Sequence, residues 1–359
     1  MPRKLIKEKL NNVKSIRQID QNGMLDLISS LPSDLKQLIT TNVSKFSLST
    51  KISSIVYSGM GGSGISGEVL KAWLEPKLKI PIVINNDYSV PSFVGPKTLF
   101  IAVSFSGNTE ETLCAFDTAL KMGAQAVAVS SGGLLEEKAR ENKAPFLKIK
   151  AHERMVPRTT YGQIIVQLAQ LFERSGLIDI KSEIKETIEV IQNVQFDLLP
   201  DIALRNNISK QIAESIYGHI PVIYSYGILQ PAAHRWKTQF NENAKILSWF
   251  ENLPEMNHNS LVGWSNDKTS CSHVSILLRD QQCEQNNPLL ARRIEATKDL
   301  GWKKAAKIIE VWSSGNSALA RIMSTIHIGD FASVYLAILR KKNPLPVEII
   351  NKLKSRLER

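Results

Sequence analysis

The chain has 359 residues, 43% of them hydrophobic and 22% charged. This ordinary globular usage excludes collagen-like, coiled-coil and wholly disordered architectures and allows about two domains. Lys and Arg total 45 against 34 Asp and Glu, a net charge of +11, which suits anionic partners such as phosphorylated metabolites or nucleic acid without choosing between them. Much of the excess lies in residues 1–14 and in the last twenty residues, where solvated helix faces are the expected use. Cys114, Cys271 and Cys283 offer no disulfide framework and point to a reducing compartment, the cytoplasm. The opening Met-Pro-Arg-Lys-Leu lacks the apolar run of a signal peptide, and no stretch reads as the roughly 18 apolar residues of a membrane span.

In chain order, residues 1 to about 50 read as amphipathic helices, with Met24, Leu25, Leu27 and Ile28 grouped before Pro32 and Leu35, Leu38 and Ile39 after it. From Ser53 short β-branched runs alternate with helical periods. Strands are expected at 55–57, 80–84, 99–103, 126–129 and 146–149, and helices at 65–73, 109–121, 134–142 and 163–174. The alternation predicts a parallel sheet covered by helices. A polar helical stretch at 178–199, closed by Pro200, is expected to connect this set to a second. That second set has strands at 222–224, 246–249, 274–278 and 308–311, helices at 230–245, 289–299 and 317–340, and a last helix at 347–357. The expected organisation is therefore α/β, with N-terminal helices over 1–50, a first domain over 51–175, a connector over 176–204 and a second domain over 205–359. The similar rhythm of the two sets suggests a structural duplication.

Gly59-Met60-Gly61-Gly62-Ser63-Gly64-Ile65-Ser66-Gly67 follows the first strand and opens a helix. There the backbone can approach a ligand closely and helical N–H groups are unpaired, a setting for an anion. Gly59, Gly61 and Gly64 also satisfy G-x-G-x-x-G, with Asp87 at a spacing suited to a ribose in a dinucleotide site. A turn serving strand-to-helix packing alone is the third reading. Ser104-Phe105-Ser106-Gly107-Asn108-Thr109-Glu110-Glu111-Thr112 again joins an apolar strand to a helix, but presents hydroxyls. Ser104, Ser106 and Thr109, with Ser63 and the backbone of Gly61 and Gly62, could surround one phosphate monoester, whereas a dinucleotide needs no second cradle. Capping by Asn108 or Thr109, with the glutamates on the helix dipole, is compatible with this use.

The two loops in this order resemble the tandem-domain sugar isomerase (SIS) superfamily. Within it the second half is similar to the bifunctional phosphoglucose/phosphomannose isomerases, through Ala233-His234-Arg235-Trp236-Lys237-Thr238-Gln239-Phe240-Asn241-Glu242-Asn243-Ala244-Lys245 and Leu253-Pro254-Glu255-Met256-Asn257-His258-Asn259. The resemblance runs from about Ser53 to the C-terminus. It implies two tandem SIS-type domains and an isomerase that interconverts glucose 6-phosphate, and also mannose 6-phosphate, with fructose 6-phosphate through a cis-enediol. It implies no metal or organic cofactor, and a homodimer.

Such chemistry needs one carboxylate to act as base and then acid, an imidazole to open the sugar ring, and a cation to steady the enediolate. The resemblance assigns these parts to Glu242, to His258 reaching in from the neighbouring subunit, and to Arg158 in Pro157-Arg158-Thr159-Thr160. Asn241 and Asn243 could orient the substrate or hold the Glu242 carboxylate. Lys354, with Lys352 as the alternative register, matches a substrate-facing lysine of the terminal helix. Asn343-Pro344-Leu345-Pro346-Val347 departs from the Asp-Pro-Thr-Pro-Val form common in relatives, a change bearing on epimer choice more than on proton transfer; Phe105 replaces a frequent Tyr. Cys271, His273 and Cys283 have no metal-ligand spacing. The competing functions are a non-catalytic sugar-phosphate sensor, which would need an output module, and a dinucleotide-dependent oxidoreductase.

Overall fold

The computed structural model describes residues 3–40, 51–266 and 268–357. It begins with α1 (Arg3–Asn11), α2 (Val13–Ile19), α3 (Met24–Ser29) and α4 (Leu31–Ile39). An alternating series follows: β1 (Ser54–Gly59), α5 (Gly61–Leu74), β2 (Ile82–Asn85), β3 (Thr98–Ser104), α6 (Glu110–Lys121), β4 (Gln125–Ser130), α7 (Gly133–Glu141) and β5 (Phe146–Lys148). Then come α8 (Tyr161–Arg174), α9 (Lys181–Phe196), α10 (Ile208–Ile216), β6 (Ile220–Ser225), α11 (Gln230–Glu242) and β7 (Trp249–Asn252). The chain closes with α12 (Ser260–Asn266), β8 (His273–Arg279), α13 (Gln281–Asn286), α14 (Pro288–Leu300), β9 (Lys307–Trp312), α15 (Ala318–Leu339) and α16 (Glu348–Leu357).

Two compact units result: Ser30–Glu189 with Ser317–Ala320, and Met1–Ser29 with Val190–Asn316 and Arg321–Arg359. The boundary between them falls within α9, inside the stretch expected as a connector, and the N-terminal helices divide at Ser29/Ser30. Part of the expected N-terminal helical region, 41–50, lies outside the described residues.

The first unit is built on a five-stranded parallel sheet in the order β2-β1-β3-β4-β5. Its central strands are buried on both faces, which is why they read as continuous apolar runs. Val56, Phe100, Ala102, Ala126 and Ala128 pack against Ala115, Phe116 and Ala119 of α6 and Leu135 and Ala139 of α7. Alternation turns Tyr57 the other way, its ring against Gly67 of α5.

The second unit holds a four-stranded parallel sheet in the order β7-β6-β8-β9. This repeats the arrangement of the first four strands of the other sheet, in accord with duplication. On one face Tyr224 stacks near Trp302, with ring centroids 4.6 Å apart, in a core shared with Trp264 and Ile294. α11 is fastened to α15: the Trp236 indole donates to the Thr325 carbonyl at 2.9 Å, and Arg235 pairs with Asp330 at 2.8 Å, both side chains buried. Gln239 also donates to Asp330 at 3.1 Å.

Two sequence expectations change. α15 has 22 residues and is long and apolar enough by composition to cross a membrane, yet its apolar window is wholly buried within the protein. Ser324, Thr325, His327, Asp330 and Ser333 interrupt the run in sequence and disguise its overall apolar character; all five are themselves buried. The strand expected at 246–249 forms instead at Trp249–Asn252, and the preceding helix ends at Glu242 rather than Lys245. Asn241 accepts from the Ser248 amide and hydroxyl, both at 3.1 Å, so the intervening residues form a turn.

Candidate active site

In the first sheet the chain leaves central β1 toward β2 on one side and then returns to β3 on the other. The loops after β1 and β3 therefore diverge at a topological switch point, the place where open α/β sheets bind ligands. Gly61 (φ +52) turns the first loop into α5, and among the described residues no side chain caps that helix start. Its first N–H groups are thus available to an anion.

The two loops are bonded to one another. Ser63 Oγ accepts from the Phe105 amide at 3.3 Å, Ser104 Oγ from the Gly107 amide at 3.1 Å, and Ser106 Oγ from the Asn108 amide at 3.2 Å. A hydroxyl that accepts a backbone N–H retains its own proton for donation. Ser104 Oγ and Thr109 Oγ1 share a further bond of 2.8 Å, which uses one of their two protons. Thr109 is the N-cap residue of α6 but its hydroxyl makes no cap bond, so its side chain turns to Ser104 rather than to capping. The arrangement is a set of hydroxyl donors beside an uncapped helix start.

Rigidity comes from beneath and beside the cradle. Tyr57 donates to the Ser63 carbonyl at 2.7 Å, and burial pushes its phenol pKa up, keeping it protonated. Gly107 has φ +72, and a Cβ there would lie 1.7 Å from the Gly132 carbonyl oxygen, so the second loop can sit against the turn before α7 only with glycine. Ser131 and Leu134 complete that attachment through the Phe105 carbonyl (2.7 Å) and Asn108 Oδ1 (3.0 Å).

Arg158 stands in a short turn, Pro157–Thr159, and is buried. A Cβ on Gly62 would come within 2.8 Å of the Arg158 Cα and the Pro157 carbonyl, so that glycine lets the Pro-Arg turn rest on the start of α5. The structure thus brings Arg158 to the glycine loop, a pairing that their separation in sequence conceals. Asp87 is exposed and uses Oδ1 to accept the amides of Tyr88 and Ser89, at 2.6 and 3.4 Å, in a local turn.

Within the second unit Glu242 is the last residue of α11 and is half-buried. Its flanking asparagines serve the fold: Asn241 holds Ser248, and buried Asn243 donates to Ser333 Oγ at 2.8 Å. These bonds set the end of α11. His258 closes the short turn Glu255–His258 and is exposed, as are Lys352 and Lys354 on α16. Asn343 uses its amide on Asn22 Oδ1 at 2.7 Å and its own Oδ1 on the Leu345 amide at 3.3 Å. His327 is a core residue bonded to Gln195 at 2.9 Å, its pKa driven down to about 3 by burial and by Arg235.

The corresponding switch point of the second sheet is chemically different. After β8 stands Asp280, fully buried, accepting from the Cys283 amide at 2.7 Å, Arg321 at 2.8 Å and Ser313 at 3.0 Å. Tyr226, after β6, accepts from the Asp280 amide at 2.9 Å and donates to Glu284. This switch point is thus filled by a buried carboxylate paired with arginine, where that of the first sheet presents hydroxyls.

Residues 205–357 match the family described as bacterial phospho-glucose isomerase C-terminal SIS domain. A bifunctional phosphoglucose/phosphomannose isomerase of Caldicellulosiruptor bescii is 34% identical over 93% of this chain and 98% of its own length. The chain belongs to the bifunctional phosphoglucose/phosphomannose isomerase family. A member from Aquifex aeolicus is also 34% identical, over 86% of this chain and 92% of that one. Among solved structures, a hypothetical protein of Thermus thermophilus shares the fold, with a TM-score of 0.74 over 96% of this chain and 94% of that one at 14% identity. The family's parallel-sheet architecture is the one described above for both units. Sequence reading singles out neither Tyr57, which supports the glycine loop through the Ser63 carbonyl, nor Asp330, which holds Arg235 and Gln239 of α11 from α15.

Proposed function

We propose that the chain is a sugar-phosphate aldose–ketose isomerase that interconverts glucose 6-phosphate, and also mannose 6-phosphate, with fructose 6-phosphate. The observation that carries this reading is the Ser63–Phe105 bond, which joins the two loops so that Ser63, Ser104, Ser106 and Thr109 present hydroxyls beside the start of α5. The phosphate is held there, with Gly61 and Gly62 giving backbone access, and binding at the remote end of the sugar orients carbons 1 and 2. Glu242 removes the proton beside the carbonyl and returns it to the neighbouring carbon. The two aldose epimers differ only at carbon 2, which becomes trigonal in the enediol, so one base serves both when the enediol turns either face of that carbon toward it. Arg158 and Lys354 offset the enediolate charge. His258, supplied by the second subunit of a homodimer, moves the ring-opening proton. A carboxylate-driven enediol route needs no metal or organic cofactor, and the cytoplasm supplies the substrate.

Purified protein incubated with fructose 6-phosphate and EDTA is expected to yield both glucose 6-phosphate and mannose 6-phosphate, separated chromatographically. No product with EDTA, or turnover only on adding NAD(P), overturns the reading. Ser104→Ala with Thr109→Val is expected to raise KM for fructose 6-phosphate about 10- to 100-fold, since hydrogen bonds to a charged group contribute about 1.5–3 kcal/mol. Steady-state kinetics check this, and an unchanged KM would remove these hydroxyls from the phosphate site.

A further inference from the structure

The last carbonyls of a helix lack intrahelical partners, so the end of α11 must take its donors from elsewhere. After Glu242 the chain reverses through Lys245, whose φ of +55 lies in the left-handed region disfavoured for a residue with a Cβ. Arg340 of the segment after α15 holds this turn from outside, its Nε on the Ala244 carbonyl at 2.9 Å and its Nη2 on the Lys245 carbonyl at 3.2 Å. In this conformation the Lys245 side chain folds back over its own turn. Its ammonium donates to the Glu242 carbonyl, to the Pro344 carbonyl at 3.1 Å and to the Pro346 carbonyl at 2.7 Å. An ammonium has three protons, and three carbonyl oxygens receive them.

Pro344 and Pro346 form the root of α16, which starts at Glu348. No residue of Glu348–Leu357 is buried, and Ile349, Leu353 and Leu357 are 76%, 58% and 67% exposed. The root therefore governs where α16 lies. We infer that Lys245 is a positioning residue whose ammonium, shared by the Glu242, Pro344 and Pro346 carbonyls, yokes the end of α11 to the root of α16, so that Glu242 and the α16 lysine are presented together. This rests on Glu242 being the proton-transfer base. Displacing a reacting group by about 1 Å can cost on the order of 100-fold in rate, so such a yoke acts on kcat.

Lys245→Met is expected to lower kcat on fructose 6-phosphate about 10- to 100-fold with KM changed less than about threefold, because the phosphate loops lie elsewhere. Hydrogen exchange in the variant is expected to rise in residues 242–246 and 344–350 and not across the β6–β8 core. Lys245→Arg keeps the charge, but its planar fork does not match three converging carbonyls, so kcat should fall about three- to tenfold. The double variant Lys245→Met/Lys354→Met should be no slower than the slower single one, since both losses act through α16. A Lys245→Met enzyme within twofold of wild-type kcat overturns the yoke, as do a uniform rise in exchange and fully multiplicative losses in the double variant. Should Met at 245 prevent folding, Lys245→Arg decides, and wild-type kcat there overturns it. Glu242→Gln separates the two ideas: full turnover in that variant removes the base, whereas an inactive Glu242→Gln beside a wild-type-like Lys245→Met removes the yoke alone.

Discussion

Glu242→Gln is expected to lower turnover of fructose 6-phosphate about 1,000-fold, within the range that a positioned general base contributes. Gln has nearly the shape of Glu but no basic oxygen, so the loss reports proton transfer and not packing. The end of α11 should survive the change, because Asn241, Asn243 and Lys245 anchor it through Ser248, Ser333 and three carbonyls without the Glu242 carboxylate. Phosphosugar affinity, measured by calorimetry, should stay within about threefold of wild type, since the donors proposed for the phosphate are hydroxyls of the first unit. Solvent-proton exchange into fructose 6-phosphate should vanish with turnover, because both read the same proton removal. A variant that turns over within tenfold of wild type would exclude Glu242 as the base.

The largest stability effect is expected at Asp330. Its carboxylate receives Arg235 Nε at 3.0 Å and Nη2 at 2.8 Å, and Gln239 at 3.1 Å, with both charged side chains only 2% exposed. Removing one partner of such a pair strands a buried charge, so Asp330→Ala should cost about 3–5 kcal/mol and lower the melting temperature by roughly 10 °C. Replacing both partners, Arg235→Met with Asp330→Leu, should recover most of that loss, since an apolar pair of similar volume carries no desolvation penalty. Chemical denaturation of the three proteins checks the order. Asp330→Ala within about 1 kcal/mol of wild type would show that the ion pair does not hold α11 to α15.

The parallel strands and the two glycine- and hydroxyl-bearing loops are legible in the sequence because their signals are local. A β-branched run buried on both faces looks apolar along its whole length, and a loop that must crowd against neighbouring backbone requires glycine at Gly62 and Gly107. The same locality explains two misreadings. The apolar run at 246–249 has the pattern of a strand, whereas Asn241 and Lys245 impose a turn through bonds no propensity reports. α15, expected at 317–340 and found at Ala318–Leu339, hides its apolar character because five small or polar residues interrupt it.

From residue order came the fold class and the hydroxyl-bearing loops, since each depends on chemistry within one short segment, while the candidate base Glu242 came from the resemblance of a longer motif. Folding alone assigned the rest. It bonded Asn241 to Ser248 and Asn243 to Ser333, laid the Pro157-Arg158 turn on Gly62, and placed a buried Asp280 at the second sheet's switch point. It also tied Lys245 to carbonyls 99 and 101 residues away. A buried donor goes to whichever acceptor packing brings near, and contacts of that separation leave no periodic trace along the chain.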